Sequence, residues 1–161
     1  TTQRIEEANK FAEENGMEPI RISQINYSLA HSSVETFGDN TLVCMDTKEF
    51  RWYKKHDFPV MAFSPQAKGF FAKLAKGDAA NNLPEGQYAG PANLARLAKV
   101  KQLSEQTGDT PAKITLGYLN SQPFFVSSVF AVTKLWQLDE DMEAQDLTYD
   151  PKTVAFLENM I

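Results

Sequence analysis

The run Ser64-Pro65-Gln66-Ala67-Lys68-Gly69 sets hydroxyl, amide and ammonium groups in a short turn directly after the apolar segment Val60-Met61-Ala62-Phe63. A strand that ends in a Gly-containing turn exposes backbone N–H groups at its carboxyl end, the place where α/β proteins bind ligands and phosphates in particular. Lys68 adds a cation there. The chemistry these residues suit is the holding of an anion; an ordinary strand-to-helix connection is the other reading of the same residues.

Groups that could donate a proton are fewer. Tyr53-Lys54-Lys55-His56 supplies suitable residue types in one run, but neighbours on a helix do not converge on one point, and a solvated helix face is the plainer reading. Tyr27 and His31 lie near the end of the first expected strand, facing the mouth of the site. Gln24 on that strand is either a satisfied core amide or a ligand-facing group, since a buried amide must find partners. Cys44 is the only cysteine and has no evident His or metal-ligand partner. No zinc spacing, Walker loop or Gly-x-Gly-x-x-Gly motif occurs.

The elements that must position these groups follow from pattern. Ile5, Ala8, Phe11 and Ala12 recur at helical spacing over Gln3 to Asn15, with Thr2 as the expected N-cap and Gly16 as the closing residue. Pro19 to Tyr27 reads as a strand and Leu29 to Asp46 as a long loop, of the kind that is more often functional. Thr47 to His56 reads as a helix with Phe50, Tyr53 and Trp52 turned inward. Pro59 to Ser64 is the second strand, its continuous apolar run suiting a parallel strand covered on both faces. Phe70 and Phe71 begin a short inward-facing segment, and Lys73 to Gly90 is a second long excursion. Pro91 to Thr107 reads as a helix whose inner face carries Leu94, Leu97, Ala98 and Leu103, stopped by Gly108. Thr110-Pro111 starts another, ended by Gln122-Pro123. Val126 to Val132 is the third strand, Leu135 to about Ala144 a helix, and a last amphipathic helix follows Asp150-Pro151.

Alternating strands and helices predict a parallel sheet in an α/β fold. At 161 residues the chain is expected to form one domain, residues 1–161. With 42% hydrophobic and 23% charged residues it reads as globular. The net charge of −5 argues against nucleic acid or an anionic membrane as main partner, leaving room for a local basic pocket. The lone cysteine and the lack of an apolar run near the ~20 residues of a membrane span point to a cytoplasmic protein.

The motifs taken in order resemble the aldo-keto reductase family, whose (β/α)8 barrel reduces carbonyls with NADPH. Arg4-Ile5-Glu6-Glu7-Ala8-Asn9 and Ala12-Glu13-Glu14-Asn15-Gly16 are similar to its fifth helix. Ser23 to Leu29 resembles the sixth strand, and Phe63 to Gly69 the seventh strand with its cofactor loop. Thr110-Pro111-Ala112 through Leu116 and Gln122-Pro123 resemble the seventh helix. Thr133-Lys134-Leu135-Trp136-Gln137-Leu138-Asp139-Glu140-Asp141 resembles the end of the eighth strand and the helix after it. The likeness covers nearly the whole chain. It implies a partial barrel, the last three βα units and the preceding helix.

It also implies roles. Gln24 would hydrogen-bond the nicotinamide carboxamide, and Phe63 stands where an aromatic, usually Tyr, stacks on the ring. Ser64, Gln66, Ala67, Lys68 and Gly69 would cradle the pyrophosphate. Thr133 and Lys134 would hold the 2′-phosphate, and Gln137, Glu140 and Asp141 would lie near ribose and adenine. Asp141 replaces the family's usual Asn, exchanging a donor for an acceptor-only carboxylate. Trp136 and Gln137 fall where a second basic residue often assists Lys134, so NADP is implied with NAD also admitted.

The family's catalytic Tyr, Lys, Asp and His, and the Ser-Asn pair that grips the carboxamide, come from earlier strands and have no counterpart here. The expected function is therefore the cofactor-binding half of an NADP-dependent reductase acting on a small carbonyl substrate. Alone it is expected to be inactive, whether a piece of a longer enzyme or a natural half-barrel. The alternative is a non-catalytic nucleotide-binding or interaction module. Self-association, or pairing with the missing half, would cover its strand edges.

Overall fold

A computed structural model describes residues 1–77 and 88–158. The element order is α1 (Thr2–Glu14), β1 (Ser23–Asn26), α2 (Val34–Phe37), α3 (Thr47–His56), β2 (Val60–Phe63), α4 (Phe70–Ala75), α5 (Pro91–Thr107), α6 (Pro111–Asn120), β3 (Val126–Val129), α7 (Leu135–Met142) and α8 (Pro151–Leu157). Among the described residues there is one three-stranded sheet, ordered β1-β2-β3 and parallel throughout, flanked by helices and not closed. The mixed α/β class and parallel sheet match the expectation. The strands are shorter than expected, four residues each.

Register and pleat sort the sheet's side chains into two faces. Ser23, Val60 and Val126 form one row, and Ile25, Ala62 and Ser128 another on the same face. This face meets the helices: the Tyr53 hydroxyl donates to Ser23 Oγ at 2.9 Å. Ile25, Val60, Ala62 and Val126 join Tyr53, Phe70, Phe71, Ile114, Tyr118, Leu119 and Phe124 in the core. The opposite face carries Gln24, Met61 and Ser127, then Asn26, Phe63 and Val129. Of these only Asn26 is buried. The expectation that β2 is covered on both faces thus fails, because the described helices pack on one side only.

Local chemistry explains most boundaries. Asp46 caps α3 by accepting from Glu49 N at 2.8 Å, and Thr110 caps α6. Asp150 accepts from both Lys152 N and Thr153 N at the start of α8. Thr1, not Thr2, precedes α1. The Thr2 N–H instead donates to the buried carboxylate of Glu49 at 2.8 Å, tying α1 to α3. Phe11 is 59% exposed, so the inner face of α1 rests on Ile5 and Ala12.

Two further expectations are corrected. Residues 29–46 are not wholly loop. Ser33 and Thr36 form a reciprocal cap at the start of α2, and Cys44 bridges Asn26 in parallel, covering part of the β1 edge. On α5 the buried positions are Asn93, Val100 and Leu103, while Leu94 is 49% exposed and Ala98 is exposed. The helix is turned by a polar residue. Asn93 accepts from the His31 N–H (2.7 Å) and donates to the carbonyls of His31 (2.8 Å) and Tyr88 (2.9 Å). A buried amide with three bonds is invisible to a reading of apolar spacing. Of the excursion expected over residues 73–90, residues 78–87 lie outside the described residues.

Candidate functional site

The β2–α4 connection is a left-handed turn. Ser64, Ala67 and Lys68 adopt φ of 53°, 49° and 56°, and Gly69 follows at 80°. For residues with a Cβ this conformation costs about 1 kcal/mol each. Such a concentration of strain marks a loop whose shape is fixed by its surroundings. Ala67 is 1% exposed and anchors the turn in the core. Gly69 is favoured by its positive φ, and a Cβ there would sit 3.3 Å from Cε of Lys73, whose exposed chain would have to shift slightly.

The turn forms one wall of a cavity of about 720 Å³ beyond the carboxyl ends of β2 and β3. Ser64, Gln66, Lys68 and Gly69 line it from this side. Thr133, Gln137, Glu140 and Asp141 line it from α7 and the segment before it. Eight of the expected site residues therefore share one cavity. Ala67 sits beneath it as support. Gln24 and Phe63 stand apart from the lining, on the open sheet face. Lys134 is exposed just before α7 and is likewise not among the lining residues.

Sequence reasoning missed two lysines of the lining: Lys73, whose chain lies beside Gly69, and Lys76, whose ammonium reaches over the Trp136 ring. The spacing of Lys73 four residues after Gly69, at the opening of a helix, is the signal that could have found the first. The expected cradle of backbone amides is also only partly available. The N–H groups of Ala67 and Gly69 donate to the carbonyls of Ser64 and Gln66, each at 2.9 Å. The polar side chains on this wall include Ser64, Lys68 and Lys73, with the Lys68 ammonium over the Phe37 ring at 5.9 Å.

On the opposite wall, Asp141 is 5% exposed. Its Oδ1 accepts from Gln66 Nε2 at 2.6 Å, while Oδ2 has no hydrogen-bond partner among the described residues. Burial holds its carboxyl above the usual range, opposed by the Gln66 bond and aided by nearby Glu140. Gln137 Oε1 collects three donors: Thr133 N (3.1 Å), Thr133 Oγ1 (3.2 Å) and Lys134 N (3.0 Å). Beside this wall Lys113 pairs with Glu143.

The proton-donor candidates fare differently. Tyr27 does not face the mouth. It continues the alternation of Ser23 and Ile25 into the core, 4% exposed, with Tyr118 edge-on at 6.3 Å. Burial pushes its hydroxyl far above the ordinary tyrosine range. Tyr53 is fully buried, and burial raises its hydroxyl too, whereas Lys54, Lys55 and His56 are exposed. His31 remains exposed. Cys44 is buried, and desolvation raises its thiol. Among the described residues no cluster of His, Cys, Asp and Glu could hold a metal, and no helix is long and apolar enough to cross a membrane.

A family model described as the Aldo/keto reductase family matches residues 1–161. A solved structure of a thermostable aldo-keto reductase, crystallised with the inhibitor epalrestat, is similar over 94% of this chain with a TM-score of 0.60 and 14% identity. The chain spans 44% of that structure's length. At this identity the likeness concerns the fold, an open three-stranded part of such a barrel.

Proposed function

Since the chain belongs to the aldo/keto reductase family, we propose that it supplies the phosphate-binding side of a nicotinamide-dinucleotide site in a barrel that reduces small carbonyl compounds. The observation that carries this is the shared cavity. A strained turn with Lys68 and Lys73 faces α7 across a space of about 720 Å³, at the ends of the strands where parallel α/β folds bind ligands.

The residues present fit such a group. Lys68, Lys73 and the Ser64 hydroxyl would neutralise and orient its phosphates. Gln24 and Phe63, on the open face of β1 and β2, would meet the carboxamide and the nicotinamide ring. Thr133, Lys134, Gln137, Glu140 and Asp141 would form the adenosine end. When bound, a reduced nicotinamide supplies hydride to the carbonyl carbon, and the carbonyl oxygen then needs a proton. Tyr27, Tyr53 and Tyr118 are buried in the core and cannot reach it. The proton donor is assigned to another part of the barrel. The family likeness implies NADP, with NAD admitted, and a cytoplasmic setting belongs to the same proposal.

The test is a titration of NADPH and NADH into the chain, followed by cofactor fluorescence, with an assay on simple aldehydes. Binding without turnover supports the proposal, and Lys68→Ala should weaken it about tenfold. Turnover by the chain alone would contradict the assignment of the proton donor elsewhere and turn attention to His31.

A second reading, a non-catalytic module that pairs with another chain or a second copy, is favoured by the uncovered sheet face. Val129 (38% exposed) lies on it, and Phe125 (63%) is exposed at the entry to β3. Sedimentation of the chain at two concentrations separates the two.

A further inference from the structure

The two ends of the cavity differ in charge. Lys68 and Lys73 line the wall that holds the strained turn, the Lys68 ammonium lying over the Phe37 ring at 5.9 Å. The charged groups that α7 itself adds to the lining are the carboxylates of Glu140 and Asp141. The ammonium of Lys76 lies over the Trp136 ring at 5.2 Å, its charge set against the indole face. The Lys134 side chain is not among the lining residues.

Three donors just before α7 are also already engaged. The N–H of Thr133, its hydroxyl and the N–H of Lys134 all converge on Gln137 Oε1. An anion arriving there would have to displace this amide and would then stand near two carboxylates. A neutral ligand group that donates hydrogen bonds has the opposite experience: the carboxylates of Glu140 and Asp141 in the lining are acceptors.

Resting on the reading that the cavity takes a nicotinamide dinucleotide, we propose that its α7 end selects the form with a free ribose 2′-hydroxyl, NAD, over the 2′-phosphorylated form, NADP. This runs against the NADP use that the family resemblance implies. The extra phosphate carries about two negative charges at neutral pH. It meets donors that Gln137 has taken and carboxylates that repel it. The residues that decide are Gln137, Glu140 and Asp141.

Calorimetric titration of the chain with NADH and NADPH tests this. Binding of NADH at least about tenfold tighter than NADPH is expected. The double variant Glu140→Gln/Asp141→Asn, checked for native circular dichroism, should bring the two affinities within about threefold of each other. Adenosine 5′-diphosphate and adenosine 2′,5′-bisphosphate, titrated separately, should show the same order without the nicotinamide. NADPH binding as tightly as NADH, or a ratio unmoved by the double variant, overturns the preference while leaving the cofactor reading intact. Failure of every one of these ligands to bind overturns that reading itself, and the preference with it.

Discussion

Gln66 and Asp141, 75 positions apart in the chain, are joined by a hydrogen bond of 2.6 Å from the Gln66 amide to Asp141 Oδ1. This bond links the strained turn after β2 to α7, the two walls of the cavity. It is also the one hydrogen bond of the buried carboxylate among the described residues. The turn and the acidic end of the site are therefore a coupled unit.

Removing the amide should expose that coupling. In Gln66→Ala the Asp141 Oδ1 loses its hydrogen bond while the carboxylate stays largely buried, a loss of about 1–3 kcal/mol. Urea unfolding should show a lower midpoint at unchanged slope.

Asp141→Asn should act in the opposite direction and depend on pH. Burial raises the carboxyl's folded-state pKa above its ordinary value of 3.8. The folded state then holds the proton more tightly than the unfolded chain. Stability falls as pH rises from 3.8 through the folded-state value and levels off above it. The variant has no such loss, so it should be more stable at neutral pH by roughly 1 kcal/mol. The difference should close below pH 3.8, as thermal unfolding at several pH values will show.

Asp57→Gly is expected to stabilise the protein by roughly 0.5–1 kcal/mol. Asp57 closes α3 at φ 46°, a left-handed residue with a Cβ. It also places a negative charge at the helix end where the macrodipole is negative. Glycine removes both costs, and a rise in melting temperature measures the sum.

Alkaline conditions should unfold the core through its tyrosines. Burial pushes the Tyr149 hydroxyl from 10.0 up to about 12. The unfolded chain loses that proton first, so stability falls as pH rises from 10.0 to about 12. Tyr149→Phe should flatten part of this decline, read as a smaller drop in the urea midpoint over that range.

Much of this was legible from residue pattern. Thr47–His56 and Pro91–Thr107 emerge at the expected residues because their caps, Asp46, Asp57, Gly90 and Gly108, are local chemistry. The turn after Phe63 was recognisable from its position after an apolar run. What stayed hidden depends on contacts distant in sequence. Asn93 is buried because a loop 62 residues away needs its amide. Tyr27 is core because the strand's alternation carries past its last paired residue. Gln137 looks like a ligand-facing residue, yet its oxygen is occupied by the backbone just before its own helix. No spacing in the sequence distinguishes an amide that waits for a ligand from one already satisfied.

The most direct measurement is an amide NMR titration of the isotope-labelled chain with NADH. The account predicts saturable shifts concentrated at Gln66, Lys68, Gly69, Thr133 and Gln137. A second cavity, lined by Lys48, Arg51 and Lys55 between α1 and α3, serves as an internal control for non-specific anion binding. Shifts confined to that basic groove, or none at millimolar cofactor, would contradict it.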